Sequence, residues 1–190
     1  MFQQITDNVA AYSLFPDEDV FRTMEEHYMY NHGVCFVFLS SAVNIARSGE
    51  ATQSSTYVSG VSSVASNAID GRKDQDWNHN SCTATNEDWE PWWRLDLKQK
   101  QSVYVIKVYA RSDRFLERLK DLEVRIGDSP DNNNPLCGTI TNYNIITTTF
   151  CCNGLAGRYV STVIPGRSEC LTLCEVEVYN GTMTENDVCW

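Results

Sequence analysis

Three groups of residues in this 190-residue chain have types and spacings that can do chemistry. The first pairs carboxylates with hard oxygens. Residues 67–81 are turn-rich and offer backbone carbonyls beside the Asp70 carboxylate and the Ser81 hydroxyl. Calcium takes about six to eight oxygen ligands and accepts carbonyls beside carboxylates. Glu175 lies far along the chain, in a run whose apolar residues change parity between Leu173 and Val176. A strict strand cannot put Leu171, Leu173, Val176 and Val178 on one face. Either both faces are buried, or a bulge near Cys174-Glu175 re-aims the backbone toward a ligand or ion. The plainer reading is an Asp70-Gly71 turn and a solvated strand carboxylate. The second group is Arg111, Asp113, Arg114, Glu117 and Arg118. Guanidinium groups present fixed N–H donors to neighbouring oxygens; the same loop can also simply neutralise itself through ion pairs. The third group is the eight cysteines. No C-x-x-C pair occurs and there are three histidines, so a zinc site is disfavoured and disulfides in an oxidising compartment are favoured.

Composition narrows the partners. The formal net charge is −10 and the pI about 4.7, which argues against nucleic acid or an anionic membrane surface, since both reward a basic face. The apolar run at 33–43 is too short to span a bilayer, so membrane insertion is not expected. That run ends in Ser40-Ser41-Ala42 and reads either as a signal-peptide core behind extra N-terminal sequence or as a buried strand or linker. Asn180-Gly181-Thr182 is a glycosylation sequon and agrees with secretion. No nucleophile elbow, HExxH or supported Cys-His pair is present, so an enzyme is not expected.

The elements that must position these residues are short strands. Residues 1–32 read as an appendage. Within 17–30, Val20, Phe21, Met24, His27 and Tyr28 fall at helical spacing. From Asn44 onward, clusters of Gly, Asn, Ser and Asp separate runs rich in Val, Ile, Tyr and Thr, the pattern of an all-β sandwich over 44–180 with a tail at 181–190. The clearest strands are 92–97, 103–110, 122–126, 159–164 and 171–179, with 128–135 a turn-rich loop.

An ordered set of segments adds a resemblance. These are Asn67-Ala68-Ile69-Asp70-Gly71; Ser81-Cys82-Thr83; Trp92-Trp93-Arg94-Leu95-Asp96-Leu97; Arg111-Ser112-Asp113 with Arg118; Gly157-Arg158-Tyr159-Val160; and Leu173-Cys174-Glu175-Val176-Glu177-Val178. Together they resemble the F-type lectins, the fucolectin family typified by eel agglutinin, over about 44–179. The resemblance implies a jelly-roll β-sandwich related to discoidin and galactose-binding domains. It implies a structural calcium ion held by carbonyls of Asn67, Arg72, Ser81 and Cys174 and by side chains of Asp70, Ser81 and Glu175. It pairs Cys82 with Cys174. It also pairs Cys137 with Cys152 or Cys151: spacing from Phe150 favours Cys152, spacing to Gly157 favours Cys151, and Cys152 is taken. Cys35, Cys170, Cys189 and the spare of that pair are left, Cys170 being placed to meet the spare.

For the sugar site, the family motif is a histidine, then Arg-x-Asp, then a second basic residue five positions after the Asp. Arg111, Asp113 and Arg118 match it, the arginines as donors to fucose hydroxyls and Asp113 as the group that orients an arginine. Trp77 aligns with an aromatic lining the pocket for the fucose methyl. Two departures stand out. The family histidine falls at Ala84, with His79 the nearest substitute. Adjacent cysteines found after the Asp in many members are replaced by Arg114-Phe115, where Phe115 offers a stacking face instead. The expected function is therefore a secreted, extracellular lectin for fucosylated glycans or glycoproteins. The alternative is the same calcium-braced fold with sugar binding lost or altered, serving protein interaction or adhesion. Avidity from one domain would require a homo-oligomer.

Overall fold

The computed structural model describes the backbone of residues 24–31 and 34–41, and residues 42–181 in full. The chain divides into two units, Met1–Ser41 and Ala42–Trp190. In the first, β1 (Met24–Asn31) and β2 (Val34–Ser41) form an antiparallel hairpin paired from Met24↔Ser41 to Asn31↔Val34. The helix expected over 17–30 is thus a strand in its second half, and residues 17–23 lie outside the described residues. Helical spacing there competes with the apolar run at 34–41, which pairs with it residue for residue. Of the run at 33–43, residues 34–41 form this second strand.

The second unit is all-β. Its strands are β3 (Glu50–Gln53), β4 (Asp88–Trp89), β5 (Trp92–Tyr109), β6 (Glu123–Gly127), β7 (Leu136–Thr139), β8 (Thr147–Val163), β9 (Ser168–Glu169) and β10 (Glu175–Tyr179). The main sheet runs β10-β5-β8-β6-β7, antiparallel throughout, with β3 also on β5. This is the antiparallel architecture that the turn-separated Val/Ile/Tyr runs foretell. The two strands expected at 92–97 and 103–110 are one strand of 18 residues. It is interrupted by a register shift between Asp96 and Gln101, where Lys98 takes φ +67°, so the polar residues between the two apolar runs form a bulge and not a turn. The strand at 159–164 is likewise the end of the 17-residue β8. Gly157 lets β8 approach β6: a Cβ there would meet the Gly127 nitrogen at 2.5 Å.

A second, shorter ladder closes the domain. Thr83 N–H donates to the Leu173 carbonyl (2.6 Å) and Thr85 N–H to the Leu171 carbonyl (3.0 Å). The return bonds go to hydroxyls: Leu173 N–H to Thr83 Oγ1 (3.2 Å) and Leu171 N–H to Thr85 Oγ1 (3.0 Å). Leu171 and Leu173 join Trp93, Leu95, Ile106 and Ile126 in the core. The parity change resolves here. Residues 171–173 pair with 83–85, Cys174 N–H reaches the Tyr109 carbonyl, and β10 continues on β5. The run changes partners at Cys174, and β10 is buried on both faces, with Glu175, Val176, Glu177 and Val178 all enclosed.

Disulfides join Cys82 to Cys174 and Cys137 to Cys152. Cys151 is also disulfide-bonded, and Cys170 is the free cysteine among the described residues, so Cys170 does not meet the spare cysteine of the 151/152 pair.

Candidate functional site: an arginine-lined cleft beside a carboxylate corner

The loop after β5 carries the basic residues into a cleft of about 400 Å³. Its lining includes Arg111, Asp113, Arg114, Phe115 and Arg118 from that loop, Tyr57 and Trp77 from others, and Ala84, Thr85, Cys170 and Thr172 from the short ladder. The loop is pinned at its start: Ser112 N–H donates to the Gln75 carbonyl (2.8 Å), while Gln75 Nε2 donates to the carbonyls of Ala110 and Ile146 (both 2.7 Å). These bonds also fix the segment bearing Trp77.

Arg111 is only 8% exposed and is held in place from three sides. Its Nε and Nη2 donate to the two Asp113 carboxylate oxygens at 2.8 and 2.5 Å. Its guanidinium carbon lies 5.0 Å from the Trp77 ring centroid and 5.4 Å from that of Phe115. The bidentate bond consumes one edge of the guanidinium and leaves its remaining N–H donors free of Asp113. The Arg111 hydrogen bond holds the Asp113 carboxyl below its usual range against a smaller opposing effect of burial. Arg118 lies 4.0 Å from the Phe115 centroid, and its Nε is 3.5 Å from Glu169 Oε1. Phe115 adopts φ +65° and is 39% exposed, so it turns outward at the cleft rim with guanidinium groups around it.

The structure thus brings together Arg111, Asp113, Arg118, Trp77 and Phe115. His79 is not among the cleft-lining residues; its Nδ1 is 2.8 Å from Asp74 Oδ2 on the exposed 3-10 turn Trp77–His79. A short turn points Trp77 and His79 different ways, so His79 does not stand in for the family histidine. Phe115 also differs from a bare stacking platform, because Arg118 covers part of its surface. Tyr57, 47% exposed with its ring 6.4 Å from Trp77, is a cleft residue that the sequence reading did not single out. It sits in a Ser/Thr-rich stretch with no strand periodicity to mark it.

The second cluster lies where the turn at 67–72 meets β10. Gly71 N–H donates to Glu175 Oε1 (3.1 Å) and Arg72 N–H to Asp70 Oδ1 (2.8 Å). Gly71 has φ +85°, a left-handed backbone that favours glycine, and the Arg47 guanidinium lies 2.9 Å from where a Cβ would stand. Ser81 is fully buried, its Oγ donating to the Asp76 carbonyl (2.8 Å), and Asn67 Nδ2 donates to the Cys82 carbonyl (3.1 Å). Glu175 is 0% exposed, yet its Oε2 has no hydrogen-bond partner among the described residues. Burial, followed by the nearby Asp70 charge, pushes its carboxyl up to about 8. No group of three or more His, Cys, Asp and Glu side chains converges at metal spacing among the described residues. A calcium site here would instead rest on carbonyls with Asp70 and Glu175. The orphaned buried oxygen and the all-oxygen donor set fit a hard cation.

The family model described as a NedA-like, galactose-binding domain matches residues 67–162. Fucolectin-1 of Anguilla japonica is 41% identical over 143 residues, spanning 71% of this chain and 79% of that protein. The pentraxin fusion protein of Xenopus laevis is 37% identical over 158 residues, covering 81% of this chain but only 36% of its own length. The solved f-lectin (fucolectin) from Morone saxatilis serum superposes with TM-score 0.68 at 48% identity, over 79% of this chain and 52% of that one. The chain therefore spans about a third to a half of some of its longer relatives. With relatives at this identity and coverage and the same antiparallel architecture, this chain belongs to the F-type lectin (fucolectin) family.

Proposed function

We propose that this domain is an extracellular lectin that binds fucose-type sugars on glycans or glycoproteins. The observation that carries the reading is the joint placement of Arg111 and Arg118 in one cleft, with Asp113 clamping the first and Phe115 seating the second. A sugar hydroxyl both donates and accepts. Guanidinium N–H groups serve its acceptor side, and an aromatic wall such as Trp77 or Tyr57 covers its C–H face. Pre-positioned donors matter because a weak monovalent contact has little energy to give up to ordering. The names of the relatives, fucolectins, support fucose as the sugar.

The carboxylate corner is read as a structural calcium site: Asp70 and Glu175 supply negative charge, Ser81 a side-chain oxygen, and Asn67, Arg72, Ser81 and Cys174 carbonyls. The ion would neutralise two converging carboxylates and brace the loops without touching sugar. Disulfides and a relative taken from serum support an extracellular setting. Binding of fucosylated glycans by several copies in a homo-oligomer would supply avidity.

Ala84 in the cleft floor favours one alternative: the same fold with sugar binding altered or lost, acting as a protein-interaction module. A glycan array probed with the full chain separates the two. Retention on α-L-fucosyl glycans, abolished in Arg111→Ala, supports the lectin. Retention on no fucosylated glycan sinks it.

A further inference from the structure

The floor of the cleft contains a hydroxyl with nothing to bond to. Thr172 is 3% exposed and lines the cleft, and its Oγ1 has no partner among the described residues. Its neighbours in the ladder are different. The hydroxyls of Thr83 and Thr85 each accept a backbone amide, at 3.2 and 3.0 Å. The pairings 83↔173 and 85↔171 place Thr172 directly across from Ala84, and in such a pair the Cβ atoms share a face. Both line the same cleft. Position 84 is where the resemblance expects a histidine. An imidazole there would face Thr172 across the ladder, within reach of its hydroxyl. The Ala84 methyl offers no polar atom, so it leaves the threonine oxygen unanswered.

Resting on the lectin reading above, we propose that Thr172 Oγ1 is a sugar-binding group of this cleft, taking the hydrogen bond that the side chain at position 84 no longer makes. A buried hydroxyl without a partner costs free energy in the empty protein. A ligand hydroxyl that settles on the cleft floor, directly or through one water, removes that cost on binding. The recognition set then becomes Arg111 and Arg118 as donors and Thr172 as a neutral group able both to donate and accept.

The test is isothermal titration of the full chain with methyl α-L-fucoside, comparing wild type with Thr172→Val, Thr172→Ser and Ala84→His. Valine keeps the shape and removes the oxygen. The proposal expects Thr172→Val to weaken binding about tenfold or more while the melting temperature holds or rises, because an unsatisfied group has been deleted. Thr172→Ser keeps the oxygen and retains binding. In the Ala84→His background the Thr172→Val change alters affinity by less than in wild type, since the sugar's bond has an imidazole to go to. Equal binding by wild type and Thr172→Val overturns this inference alone. No binding by wild type to the fucoside overturns the lectin reading, and this inference with it.

Discussion

The guanidinium of Arg118 lies 4.0 Å from the centre of the Phe115 ring, and that ring is held outward by a left-handed backbone. The arrangement lays a cation on an aromatic face at the rim of the cleft. Such a contact is worth about 0.5–2 kcal/mol depending on desolvation. Phe115→Ala should therefore loosen Arg118 and weaken binding to a fucosyl glycan roughly several-fold, with little change in melting temperature. Phe115→Leu, which keeps bulk without the ring quadrupole, should behave like alanine; surface plasmon resonance against an immobilised fucosylated glycoprotein reads the difference.

Asp113 acts through Arg111. Asp113→Asn removes the second accepting oxygen and leaves Arg111 between two rings without a countercharge. Losing one partner of a buried charged pair costs about 1–3 kcal/mol, so affinity should fall roughly ten- to a hundredfold. Arg111→Lys should fare no better, because an ammonium cannot make the bidentate bond. Titration calorimetry of both variants checks this; wild-type affinity in either would separate the clamp from recognition.

Calcium added to chelated protein should raise the melting temperature. Glu175→Gln should abolish that rise. It should also leave the chelated variant at least as stable as chelated wild type, since the amide removes a buried carboxylate that lies beside Asp70. Differential scanning fluorimetry with and without chelator decides it: a calcium shift that survives Glu175→Gln would move the ion elsewhere.

Acid sensitivity should come partly from the ladder of β5 and β8. Arg158 Nε and Nη2 both donate to Asp96 at 2.8 Å, and this hydrogen bonding, opposed by desolvation, holds the Asp96 carboxyl down to about 2. A depressed carboxyl stabilises the fold fully above the ordinary carboxylate range and loses that contribution as pH falls through its folded value. Asp96→Asn should thus flatten the loss of stability between about pH 4 and 2, read from melting curves across that interval.

Removing the Cys82–Cys174 bond, which closes a separation of 92 residues, should destabilise the domain by roughly 4.6 kcal/mol on the chain-entropy model. The Cys82→Ser/Cys174→Ser double variant should melt lower than the Cys137→Ser/Cys152→Ser variant, whose bond spans 15 residues. Equal melting temperatures would show that strain or residual structure, not loop length, sets the effect.

Much of the domain was legible because its strands carry apolar residues between turn clusters: β5, β6, β8 and β10 all lie where those runs are. The bulge at Lys98 was not, since a polar interruption reads the same whether the chain turns or merely bulges. The parity change at Leu173–Val176 signalled something real, but two periodicities alone do not reveal a change of pairing partner. Arg111, Asp113 and Arg118 were readable from spacing and resemblance. Tyr57 and Thr172 were not, because each belongs to the cleft only through pairing with a segment distant in the chain. The orphaned Thr172 oxygen in particular depends on what stands opposite it, which a linear reading does not supply.

The Cys82–Cys174 bond has a further effect at its two flanks. Ala84 stands two residues after one cysteine and Thr172 two before the other. The gap between these facing positions is set by a covalent ruler rather than by the side chains that fill it. A lineage can then exchange the residue at either position, large for small or basic for neutral, without the opposite wall drifting to follow. Specificity at this floor is open to revision one residue at a time.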